Sequence, residues 1–182
     1  MERGQCITFL LVLGALFLAA PPVSGNGSGQ ARTGGCTQHP SVLDLVDFVA
    51  AQTGYPPIQV SPRIRATSVK ELASIVRGDA AERGADPRAA YVPASKEILV
   101  GPDFDLCTAL DRSYLVHELV HVHQYESRAD RRAPCAGSLE GEAYRVQADY
   151  LKANGRAHDA FAFDLLGLLQ SACAHFYHPG GE

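Results

Sequence analysis

Hydrophobic positions in this chain recur at helical spacing in five stretches and form short extended runs in three others. Val42, Leu45, Val46 and Val49 predict a helix over 40–52, ended by Gly54. A second helix is expected over 68–77, with Ser68 as N-cap, Glu71 at the capping-box position and Gly78 beyond its end. Residues 58–60, bracketed by prolines, read as a short strand, and 90–93 and 97–100 as two more around a turn at 94–96. Leu115, Val116, Leu119, Val120 and Val122 cover more than a narrow stripe, so the helix from Thr108 or Asp111 to about Glu126 should be central and well buried. A polar loop over 127–137 follows. Ser138 then caps a helix to Ala153, and the last helix spans 159–176. The expected fold class is α+β, rich in helix, with one small β-sheet beside the 108–126 helix.

The N-terminus changes the domain picture. Met1-Glu2-Arg3 precedes an apolar run over 7–20, and Pro21 to Gly25 are small or helix-breaking. The run is short for a membrane span, so residues 1–25 read as a signal peptide, with no stable membrane insertion after cleavage. Residues 26–39 are Gly/Ser-rich and read as a flexible segment. A single domain is expected over 40–178, with a tail at 179–182. Secretion, or export to a periplasm, is the expected destination.

Formal net charge is −4, and the arginines at 128, 131 and 132 are better read as a solvated loop than as a nucleic-acid footprint. Cys36, Cys107, Cys135 and Cys173 lie beyond the signal and suggest two disulfides. Antiparallel packing of the three later helices would bring the chain's end near Cys135. Cys135–Cys173 and Cys36–Cys107 are therefore the favoured pairs.

The chemistry concentrates in His117-Glu118-Leu119-Val120-His121, an HExxH run on the central helix. Two histidines four residues apart share a helix face and can bind one metal ion, with Glu118 placed to hold a water. A catalytic zinc takes three protein ligands and leaves a position open. Gln124 and Ser127 stand where the extended HExxHxxGxxH pattern needs Gly and His, so the third ligand must lie elsewhere. Glu140 and Glu142 both flank the buried side of the next helix, and position alone does not separate them; Asp149 is a more distant candidate.

His117 to His121 together with Glu140-Gly141-Glu142-Ala143-Tyr144 resembles the gluzincin pattern, HExxH followed on the next helix by ExxA(D/N). The His-Val-His-Gln run ending at Gln124 resembles the HELxHxxQ variant of small secreted zincin-like domains. The likeness covers residues 90 to 153 and implies a minimal zincin-like domain, with an edge strand above the HExxH helix that 97–100 could supply. It assigns Zn2+ to His117, His121 and Glu140, and Ala143 to the pattern's alanine. Tyr144 departs from it: an Asp or Asn there usually supports a zinc-binding histidine.

The implied activity is zinc-dependent hydrolysis of peptide or protein substrates, with Glu118 as general base. A further electrophile, usually His or Tyr, would be expected; Tyr144, His175, Tyr177 and His178 are the candidates. His123 is off the ligand face and reads as structural. The alternative is a zinc-binding or extracellular interaction domain that catalyses nothing.

Overall fold

The computed structural model describes residues 40–58, 61–77 and 87–173. The elements are α1 (Val42–Thr53), β1 (Arg63–Ala66), α2 (Val69–Arg77), β2 (Ala89–Val92), β3 (Glu97–Val100), α3 (Ala109–Glu126), α4 (Ala136–Ala153) and α5 (Ala157–Ser171), with one 3-10 turn at Ala129–Arg131. This is the expected helix-rich α+β class. The expected signal peptide, the 26–39 segment, the 179–182 tail and the candidates His175, Tyr177 and His178 lie outside the described residues.

The sheet has the order β1-β3-β2, with β1 parallel and β2 antiparallel to β3. β3 is buried on both faces, which is why Ile98-Leu99-Val100 is continuously apolar rather than alternating. Ile98 and Val100 face the main core, shared with Leu45 and Val49 of α1, Leu115 and Leu119 of α3, and Val146 of α4. Leu99 faces the other way and meets Leu72 of α2. The sheet therefore lies between α2 and the α1/α3/α4 side, and α3 is the buried centre that its breadth of apolar positions predicts.

The sheet differs from expectation in two respects. Arg63–Ala66 forms a strand that was not expected; of the expected 58–60 strand, Ile58 is in no strand and 59–60 lie outside the described residues. Its Arg-Ile-Arg-Ala sequence lacks an apolar run because it is a largely exposed edge, where Arg63 and Arg65 both reach Glu97 at 3.7 Å. The strand bordering the HExxH helix is β2, because β3 is the central one.

Caps explain the helix starts. Ser41 and Asp44 form a reciprocal capping box on α1, and Gly54 ends that helix at φ 70. Thr108 caps α3 through the Asp111 N–H. On α2, Ser68 caps Glu71 N–H at 3.1 Å, but the Glu71 carboxylate turns to Thr67 and Arg65 instead of closing the box. α4 starts at Ala136, ahead of the expected cap at Ser138, whose hydroxyl instead donates to the Cys135 carbonyl at 2.7 Å.

Two fastenings hold the C-terminal helices. Gly141 lies where α5 crosses α4 so closely that a Cβ would fall 2.8 Å from the Gly167 carbonyl and against the Ser171 hydroxyl. Cys135 and Cys173 form a disulfide across the same hairpin, as expected from the antiparallel order. Cys107 is also disulfide-bonded; the expected Cys36–Cys107 pairing has its other cysteine outside the described residues. Among the described residues no helix is long and apolar enough to cross a membrane.

Candidate metal centre

α3 and α4 run antiparallel, so the turn of α3 bearing His117 and His121 faces the turn of α4 bearing Glu140. The HExxH spacing puts both imidazoles on one face, 4.9 Å apart between ring centres. Their Nε2 atoms approach to 3.2 Å, and the two oxygens of Glu140 lie 3.3 Å from Nε2 of His117 and 3.4 Å from Nε2 of His121. His117, His121 and Glu140 are thus a cluster able to hold a metal ion, their ligand atoms all within 4.8 Å.

Hydrogen bonding fixes which ring nitrogens point inward. Gln147 donates from Nε2 to the Ser113 hydroxyl oxygen, whose own proton goes to the Leu110 carbonyl. Its Oε1 therefore faces His117, and His117 Nδ1–H donates to it at 3.1 Å. Gln124 donates from Nε2 to the Leu139 carbonyl and to Glu142 Oε2, each at 3.0 Å. Its Oε1 consequently accepts from His121 Nδ1–H at 2.8 Å. With both Nδ1 atoms protonated, both Nε2 lone pairs converge on one point beside a carboxylate. Three converging acceptors repel one another unless a cation lies between them.

Two imidazole nitrogens and a carboxylate are a donor set of the kind that transition-metal ions take. Without metal, a proton takes over part of that role. Burial works against a charged His121, but Glu140, with Glu118 and Gln124 adding, overrides it and pushes the pKa up to about 9. Burial likewise disfavours the Glu140 carboxylate, and the charges and hydrogen bonds of His121 and His117 nonetheless hold its pKa well below the usual range.

Glu118 reaches the site from the same turn of α3 but faces the sheet. The backbone N–H of Tyr91, on the outer edge of β2, donates to its Oε2 at 2.7 Å. Its other oxygen has no protein partner among the described residues. One oxygen anchored and one free is the arrangement a carboxylate needs to hold and deprotonate a water.

The two glutamates of α4 have separate tasks. Glu140 sits between the histidines, while Glu142 Oε2 accepts from Gln124 and, at 2.7 Å, from the Tyr55 hydroxyl. Glu142 thus steadies His121 through Gln124. Asp149 is elsewhere, paired with Lys152 at 3.1 Å. His123 is buried off the ligand face, stacked on Tyr55 and donating to the Pro56 carbonyl at 3.2 Å. Arg128, Arg131 and Arg132 are exposed, as a solvated loop requires.

Sequence reasoning missed Gln147 and the Tyr91 N–H. Tyr144 does not support a histidine by hydrogen bonding; its ring packs edge-on against His117, centres 4.5 Å apart. The support comes from Gln147, seven residues after Glu140 and on the same helix face. A glutamine within the Ala143, Val146, Tyr150 core stripe was the available signal. The Tyr91 contact is made by backbone and leaves no trace in residue identity.

The family model described as a domain of unknown function, DUF6647, matches residues 35–180. No curated protein and no solved structure shows a significant match.

Proposed function

The chain belongs to the DUF6647 family, and we propose that it is a zinc-dependent peptidase, its ion held by His117, His121 and Glu140 and its general base Glu118. The observation that carries this reading is the pairing of a three-donor cluster with a carboxylate that has one anchored and one free oxygen. A purely structural metal site closes all four positions with protein ligands and has no use for such a carboxylate.

Bound there, zinc would supply Lewis acidity, lowering the pKa of a water and polarising a carbonyl. The chain's residues do the rest. Glu118 takes a proton from the water as the water oxygen bonds to the scissile carbon. It then delivers that proton to the nitrogen as the C–N bond breaks, leaving an amine and a carboxylate, whose remaining proton goes to solvent. Gln147 and Gln124 keep the histidine Nε2 atoms aimed inward throughout.

Residues 1–25 as a signal peptide, a domain over 40–178 and a secreted or periplasmic setting belong to the same reading. Two disulfide-bonded sites, at Cys135–Cys173 and at Cys107, suit an oxidising compartment.

The test is cleavage of a diverse peptide library by the purified zinc-loaded protein, read by mass spectrometry. Cleavage that is lost in Glu118→Gln, with zinc content unchanged, supports the reading. A zinc-loaded protein that cleaves nothing contradicts it and favours a metal-binding domain without turnover.

A further inference from the structure

α5 packs on α4 through Ala160 and Gly167, and the opposite side of the helix carries four large apolar side chains. Phe161 and Leu168 are each 71 % exposed, Leu165 44 % and Leu169 49 %. They are four of the seven exposed large hydrophobics among the described residues, so most such surface lies on this one helix. His158, Ala162 and the C-cap Ala172 are exposed as well and complete a continuous stripe at the i, i+3, i+4, i+7 spacing of one helix face.

No Asp, Glu, Lys or Arg lies on the stripe. The two acidic residues of α5, Asp159 and Asp164, are only partly exposed; Asp159 takes Arg156, and Asp164 takes Lys152 at 2.9 Å. The cations beside the helix are thereby neutralised. A helix that docks on a membrane surface borders its apolar face with Lys and Arg, which this face does not offer. Its occupant has to be apolar and uncharged.

The stripe is also palindromic about Leu165. Ala162 and Leu168 stand three positions to either side, Phe161 and Leu169 four, and His158 and Ala172 seven. A two-fold axis at Leu165 therefore sets that side chain against its own copy and each Phe161 against the other chain's Leu169. It also sets each Leu168 over the other's small Ala162. The four large side chains expose on the order of 400 Å², against ~800 Å² that each partner gives to a standard interface. That is the size of an apolar interface core inside a polar rim.

We propose that the outer face of α5 is a dimer interface, which pairs the chain with a second copy about a two-fold axis through Leu165. The face contains none of the metal-site residues, so the pairing stands whether or not metal is bound.

Sedimentation velocity of the purified protein at micromolar concentration should give a mass of two chains, with and without zinc. Leu165→Glu and Leu165→Lys each set like charges against one another on the axis, and each alone should sediment as one chain. An equimolar mixture of the two variants should recover the dimer, because opposite charges then meet. Leu43→Glu, at a leucine 61 % exposed on α1, should remain a dimer and so separates the face from a general effect of added charge. A dimer that survives Leu165→Glu, or a mixture that stays single, would overturn the proposal. A wild-type protein that sediments as one chain would overturn it too. Co-sedimentation of that single chain with phosphatidylcholine vesicles would then assign the face to a membrane surface, and dimerisation only after removal of residues 174–182 would assign it to that segment.

Discussion

Gln147 accepts the Nδ1–H of His117 across 3.1 Å, from a position two helical turns beyond Glu140 on the same face of α4. One helix thus supplies both a donor atom to the site and the group that aims a donor atom of the facing helix. The acceptor is a neutral carboxamide, itself fixed by Ser113.

Gln147→Leu removes that acceptor from a buried site and leaves His117 free to adopt the other tautomer or turn. Zinc affinity should fall roughly ten- to a hundredfold, the usual cost of losing such a supporting partner. Competition with a fluorescent chelator measures it, and an unchanged affinity would mean that packing against Tyr144 alone orients the ring.

Glu140 and Glu142 should separate cleanly. Glu140→Ala removes a donor atom, Gln124→Ala removes the acceptor for His121 Nδ1–H, and Glu142→Ala removes only a partner of Gln124. Zinc affinity should fall most for the first, less for the second and least for the third. Glu142→Gln, which can still accept from Tyr55 and Gln124, should stay near the wild type.

Metal loading should release protons. In the metal-free protein the His121 pKa is pushed up to about 9, so near neutral pH the ring holds a proton that a metal must displace. About one proton per ion should leave below that pH, and apparent affinity should rise with pH until it levels off near the same value. Calorimetry in buffers of different ionisation enthalpy reads the proton count. A count of zero at neutral pH would contradict the coupling between His121 and Glu140.

The α4/α5 crossing is expected to be intolerant of added volume. In Gly141→Ala a methyl group would meet the Gly167 carbonyl and Ser171, and overpacking of that kind costs about 1–3 kcal/mol. Thermal unfolding should show a lowered Tm, and zinc affinity should weaken because Glu140 lies on the displaced turn. A Tm equal to that of the wild type would show that α5 moves aside freely.

The central helix and the antiparallel order of the last three helices were legible because apolar spacing and short loops are local signals; between Thr108 and Asp111 as the central helix's cap, only the structure decides for Thr108. HExxH was legible because its two histidines and its glutamate sit on neighbouring positions of one helix. The partition between Glu140 and Glu142 was not, since both flank the core stripe and only the α3–α4 register separates them. β1 was missed because an exposed Arg-Ile-Arg edge carries no apolar run, and the neighbouring Ile58 was favoured by composition alone. The contact of Glu118 with the Tyr91 backbone depends on which edge of the sheet meets α3, a tertiary fact that no residue identity announces.

The most direct test of the account is the zinc content and affinity of the purified protein beside its His117→Ala, Glu140→Ala and Glu142→Ala variants. One zinc per chain, lost in His117→Ala and Glu140→Ala but kept in Glu142→Ala, is the predicted result. A folded wild-type protein that binds no zinc at neutral pH, or a Glu140→Ala variant that binds as tightly as the wild type, would contradict it.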